Sequence, residues 1–96
     1  VNVPNPMTDD TRFTFSIINN DQTYADVTIK IFTLSGRLVK KIETTLIETP
    51  NGHQEIYWDG RDDDGDRMAN GVYLYKIIVK NGTQSVSKID KLMILK

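Results

Sequence analysis

The chain has 96 residues, 39% of them hydrophobic and 26% charged, with 12 Lys and Arg against 13 Asp and Glu. That length supports one hydrophobic core and leaves little room for a deep ligand cavity, so enzymatic functions start behind binding and structural ones. A net charge of −1 argues against a nucleic-acid binder or a polybasic membrane-surface module, and the absence of cysteine removes disulfide scaffolds, thiolate metal sites and thiol nucleophiles.

The chain opens Val1-Asn2-Val3-Pro4 with no initiator Met and no charged segment leading into an apolar run, and it ends on the apolar stretch Leu92-Met93-Ile94-Leu95. We expect residues 1–96 to form a single domain taken from the C-terminal end of a longer protein, with no membrane insertion of its own. Hydrophobic periodicity is two almost throughout, which predicts an all-β domain. In Arg12-Phe13-Thr14-Phe15-Ser16-Ile17, the residues Phe13, Phe15 and Ile17 share one face of a first strand. After a polar turn at 19–22, Asp26 to Phe32 alternates with Val27, Ile29 and Ile31 inward. Ser35-Gly36 then supplies a hairpin turn, because glycine tolerates positive φ, and Arg37 to Ile42 returns as the next strand.

Thr49-Pro50-Asn51-Gly52 marks another turn, followed by a strand from His53 to Trp58 in which Ile56 and Trp58 lie on the core face. The segment from Asp59 to Asn70 contains no apolar run and is predicted to be a long exposed loop. Gly71 to Val79 is apolar on both faces, as expected of a central strand, with Val72 and Leu74 assigned to the core and Tyr73, Tyr75 and Ile77 to the opposite face. Asn81-Gly82 predicts a tight hairpin into Ser85 to Ile89, and a change of alternation near Ile89-Asp90-Lys91 predicts a bend or bulge before the final strand segment. About seven short strands in roughly 100 residues describe an immunoglobulin-like antiparallel β-sandwich.

Few residues invite chemistry. Asp59-Gly60-Arg61-Asp62-Asp63-Asp64-Gly65-Asp66 concentrates five carboxylates, with Asp59, Asp62, Asp64 and Asp66 as candidate ligands for a hard cation. The spacing misses the EF-hand register at both ends: with Gly65 at loop position 6, glycines fall at positions 1 and 12. Turns in which Asp side chains accept nearby backbone N–H groups account for the composition better, and no cofactor is expected. His53 is the only histidine, and none of the serines sits in a nucleophile elbow, so no catalytic residue is assigned. Trp58 reads as core, while Tyr24, Tyr57, Tyr73 and Tyr75 are weighed as an aromatic binding platform and set aside.

Together, Val3-Pro4-Asn5-Pro6, the hairpin from Val27 through Gly36 to Val39, Trp58-Asp59-Gly60-Arg61-Asp62, and Asn70-Gly71-Val72-Tyr73-Leu74-Tyr75 resemble the FlgD-type immunoglobulin-like domain. They also resemble the related C-terminal sorting domain of type IX secretion cargo. The motif residues carrying the resemblance are Pro4, Asn5, Pro6, Gly36, Trp58, Asp59, Gly60, Asn70, Gly71 and Tyr73.

The resemblance implies a non-catalytic module, monomeric in isolation, at the C-terminus of a protein exported through the periplasm and outer membrane to the cell surface or medium. There it is read by secretion machinery or an outer-membrane shuttle protein. Machinery components such as the gingipain-sortase-like protein retain a domain of this kind. The final strands, with Lys88, Lys91, Leu92, Ile94 and Lys96, are the candidate partner-binding segment. A retained spacer, a flagellar hook-cap-like scaffold domain and a calcium-stabilised carbohydrate-binding module are the alternatives.

Overall fold

The structure, a computed structural model, describes the backbone of residues 2–3, 11–16, 24–47, 53–81 and 84–95 and the side chains of 11, 13–14, 25–45, 55–80 and 85–95. Its strands are β1 (Asn2–Val3), β2 (Thr11–Ser16), β3 (Tyr24–Thr33), β4 (Leu38–Ile47), β5 (His53–Trp58), β6 (Gly71–Asn81) and β7 (Gln84–Ile94). A three-stranded sheet in the order β1-β2-β5 faces a four-stranded sheet in the order β4-β3-β6-β7, and every pairing is antiparallel. This is the expected immunoglobulin-like sandwich.

The core follows from alternation along each strand. Phe13, Ile56 and Trp58 project from the smaller sheet, while Val27, Ile29 and Ile31 come from β3 and Leu92 and Ile94 from β7. Phe13 is the aromatic hub. Its ring lies 6.3 Å from Trp58 in a stacked arrangement and 5.0 Å from Tyr75 edge-on, two geometries favoured by the ring quadrupole.

Strand β6 corrects the sequence expectation. Register with β3 places Ile77 opposite Ile29, Tyr75 opposite Ile31 and Tyr73 opposite Thr33, so Tyr75 and Ile77 are buried and Tyr73 packs against the core. Val72 and Leu74, assigned to the core from sequence, lie on the outer face. A strand apolar on both faces has no internal signal for its phase, and only pairing with β3 decides it.

Strand β7 also differs. Its pairing with β6 is continuous from Gly71↔Ile94 to Asn81↔Gln84, with no bulge at Ile89-Asp90-Lys91. The exposed Ile89 imitates a phase change, although it faces outward in the same alternation that buries Leu92 and Ile94. Asn81 likewise belongs to the strand and not to the turn. The irregularity falls instead between Ile31 and Phe32, where the partners step from Lys40 to Leu38. The extra residue, Val39, thereby packs against the core along with Ile42.

Between β3 and β4, Gly36 has φ of 94°, the Gly36 N–H donates to Thr33 O at 2.9 Å, and the Thr33 N–H donates to Arg37 O at 2.9 Å. The Ser35-Gly36 turn therefore forms as the sequence indicates. Pro4, Asn5, Pro6, Lys96, the turn at 49–52 and the Phe15, Tyr24 and His53 side chains fall outside what the structure describes.

Three substitutions check the packing. Trp58→Ala should cost about 3–5 kcal/mol by urea denaturation, the range for a buried large aromatic. Ile77→Ala should cost about 2–5 kcal/mol and Leu74→Ala clearly less, because only the first opens a cavity. The reverse ranking would restore the original phase of β6.

Candidate functional site

Two regions hold the sequence-assigned residues, the Asp-rich loop and the last strand. The loop begins where Trp58 ends β5. The Trp58 indole Nε1–H donates to Arg61 O at 2.9 Å, satisfying the only polar atom of a side chain that is otherwise buried. Asp59 Oδ1 accepts from the Arg61 N–H at 3.1 Å, and Gly60 turns with φ of 80°.

Arg61 and Arg67 then pair as a short antiparallel bridge. Inside it, Asp62 Oδ1 accepts N–H bonds from Asp64 at 3.0 Å and Asp66 at 2.9 Å, and the Asp62 N–H donates to Asp66 O at 2.8 Å. Gly65 takes φ of 87°, its N–H donates to Asp62 O, and its own carbonyl accepts from Arg61 Nη1 at 2.9 Å. The carboxylates of Asp59 and Asp62 thus act as backbone acceptors in tight turns. Among the described residues, no three His, Asp or Glu side chains converge to hold a metal ion.

The loop is less exposed than its composition indicates. Met68 is 5% exposed and joins the core, and its N–H donates to Gly60 O at 3.2 Å. One methionine among polar neighbours carries no periodicity, so pattern reading missed it. At the far end, the Tyr73 hydroxyl donates to Ala69 O at 2.7 Å, which ties the Asn70-Gly71 entry of β6 to the loop. Asp63 fastens the loop sideways onto edge strand β4. Its N–H donates to Val39 O at 3.0 Å, its Oδ1 lies 3.4 Å from Lys40 Nζ, and it accepts a long 3.5 Å contact from the Lys41 N–H.

The aromatic platform does not assemble. Tyr75 is in the core, Tyr73 is engaged at the loop, and Tyr57 lies on the outer face of the smaller sheet. A surface hollow between β4 and β5 is lined by Lys40, Ile42, Tyr57, Trp58 and Asp59, which include no nucleophile–base pair.

The last strand divides its assigned residues. Leu92 and Ile94 are 0% and 1% exposed and close the core, so neither side chain reaches a partner, whereas Lys88 and Lys91 are exposed. Strand β7 is the outermost strand of its sheet, and among the described residues nothing pairs with its far edge. On the opposite edge, β4, Asp63 engages the backbone of Val39 and Lys41. Lys88 and Asp90 share the inward side of β7 with Leu92, and inward charges of this kind discourage indiscriminate edge pairing.

The FlgD Ig-like domain profile matches residues 5–83. The chain belongs to the FlgD Ig-like domain family. The match stops before β7, the edge strand of the larger sheet. Members of the family are non-catalytic Ig-like modules. Among solved structures, the chain is similar to part of dimeric latent PorU from Porphyromonas gingivalis, at 26% identity and a TM-score of 0.78. The likeness covers 99% of this chain and 9% of that one. No curated protein matches the chain.

Calorimetry with calcium and then with chelator tests the turn role of the loop. The melting temperature should be the same in both, whereas a site saturated a hundredfold above its dissociation constant would add about 2.7 kcal/mol and raise it by several degrees. Asp62→Ala, which removes both accepted N–H bonds, should cost about 1–2 kcal/mol without calcium.

Proposed function

We propose that this FlgD-family domain is a non-catalytic secretion or attachment module, recognised at the outer membrane by type IX secretion machinery, with β7 as the edge offered to its partner. The observation that carries the proposal is the likeness over nearly the whole chain to a segment of latent PorU. The sequence resemblance to type IX sorting domains supplies the link to that secretion system. A partner strand added to β7 would gain main-chain hydrogen bonds without a pocket or catalytic group, which suits a small sandwich with exposed edge strands. In this proposal the parent protein is exported through the periplasm to the cell surface or medium.

A second reading, a retained structural Ig-like domain, is favoured by the family match alone, since that match ends at residue 83 and owes nothing to β7.

Fusing residues 1–96 to a periplasmic reporter in a bacterium with type IX secretion distinguishes them. Truncating β7 is uninformative because it removes Leu92 and Ile94 from the core. Consecutive residues of an edge strand turn their N–H groups alternately toward the neighbouring strand and toward solvent. Of Ser87→Pro and Lys88→Pro, therefore, one removes only a solvent-facing donor and should remain folded. The expected result is export of the parent fusion and periplasmic retention of the folded proline variant. Retention of the parent fusion, while a known cargo label exports the same reporter, would leave the structural reading.

A further inference from the structure

The outer face of the four-stranded sheet carries a pattern that neither the core nor the β7 edge requires. Register aligns Leu38, Phe32 and Leu74 in one row across β4, β3 and β6, with Val72 and Met93 paired beside it. Leu38 and Met93 are 45% and 42% exposed, and Phe32, Val72 and Leu74 are half-buried, so this end of the face is apolar and open. One step along the strands, Lys41, Lys30 and Lys76 stand directly opposite one another, and Lys91 lies opposite Leu74.

Like charges facing each other across strands oppose sheet formation, so the fold gains nothing from this row. Local carboxylates neutralise only part of it. Lys41 Nζ is bonded to Glu43 at 2.8 Å, a contact that holds the Glu43 carboxyl below its ordinary range. Lys80 faces Asp26, which also accepts from Thr45 Oγ1 at 2.9 Å. Lys30 is attracted to Glu43 without a direct salt bridge, and Lys76 and Lys91 form no salt bridge among the described residues.

We propose that this face docks an amphipathic protein segment that sets apolar side chains on the Leu38–Phe32–Leu74 row and carboxylates against Lys30, Lys76 and Lys91. Desolvated apolar contact supplies the centre of such an interface, and charge complementarity fixes its direction across the strands. An anionic lipid surface fits less well, because it would lay negative charge along the whole face, the Leu38 end beside the Asp-rich loop included, whereas a protein segment can confine its carboxylates to the lysines. A second copy applied face to face would oppose lysine with lysine. The inference is independent of the sorting role, since it concerns binding by the isolated chain.

The test is fluorescence anisotropy with the 96-residue chain and a stapled helical peptide that has a leucine face and a glutamate flank. The peptide should bind, weaken with added salt, and lose about tenfold or more when the flank is lysine, since each attraction then becomes a repulsion. Lys30→Glu should weaken binding about fivefold or more with little change in melting temperature, because relief of repulsion from Lys41 and Lys76 is offset by new repulsion from Glu43. A residue kept for folding would lose stability along with binding. Lys91→Glu should repeat the binding loss, and Lys88→Glu, on the other face of β7, should leave binding unchanged. The proposal is overturned by absence of binding, by equal losses from Lys88→Glu and Lys30→Glu, by preferential binding to phosphatidylglycerol vesicles, or by sedimentation showing that the face is buried between copies.

Discussion

Burial of Leu92 and Ile94 is the constraint on which the rest of the surface depends. Pairing sets Leu92 opposite Tyr73 and Ile94 opposite Gly71, and a slip of one residue would expose both side chains and bring Met93 and Lys91 to the inner face. With that register fixed, Ile89, Lys91 and Met93 must face outward, and among the described residues nothing pairs with the far edge of β7. The terminal strand therefore contributes to folding through one face while presenting its other face and its edge to solvent. A segment that closes the core can thus also keep one face and one edge exposed, as the proposed partner-binding role of β7 requires.

The Asp-rich loop gives the opposite edge a different character. Trp58 anchors its first turn through Arg61 O, Met68 anchors its return in the core, and Asp63 fastens its flank to β4. A loop held at these points covers one end of the sheet order, and the β4 bulge disrupts the ladder there. The two edges of the larger sheet are thus unequal. The carboxylate concentration serves this local architecture through the double acceptance by Asp62 and the positive φ of Gly60 and Gly65.

Sequence periodicity was sufficient for the sandwich, for the inward rows of β3 and β5, and for the burial of Trp58, because each of those strands has one apolar and one polar face. It failed where that contrast is missing. In β6 both faces are apolar, and the choice of Tyr75 and Ile77 over Val72 and Leu74 lies in pairing with β3. In β7 a single exposed Ile89 imitated a break. Met68 acts alone and leaves no pattern. The lysine row was illegible for a further reason, since Lys30, Lys41 and Lys76 come from three strands and meet only through cross-strand register.

The most direct measurement of this account is amide hydrogen exchange resolved by residue along β7 in the isolated chain. An uncovered edge strand in a fixed register should protect alternate amides, those bonded to β6, and leave the intervening ones exchanging rapidly from Ser85 to Ile94. Uniform protection along the strand would show that its edge is covered. Uniformly rapid exchange would show that β7 is not held in the register that buries Leu92 and Ile94, and either result would contradict the account.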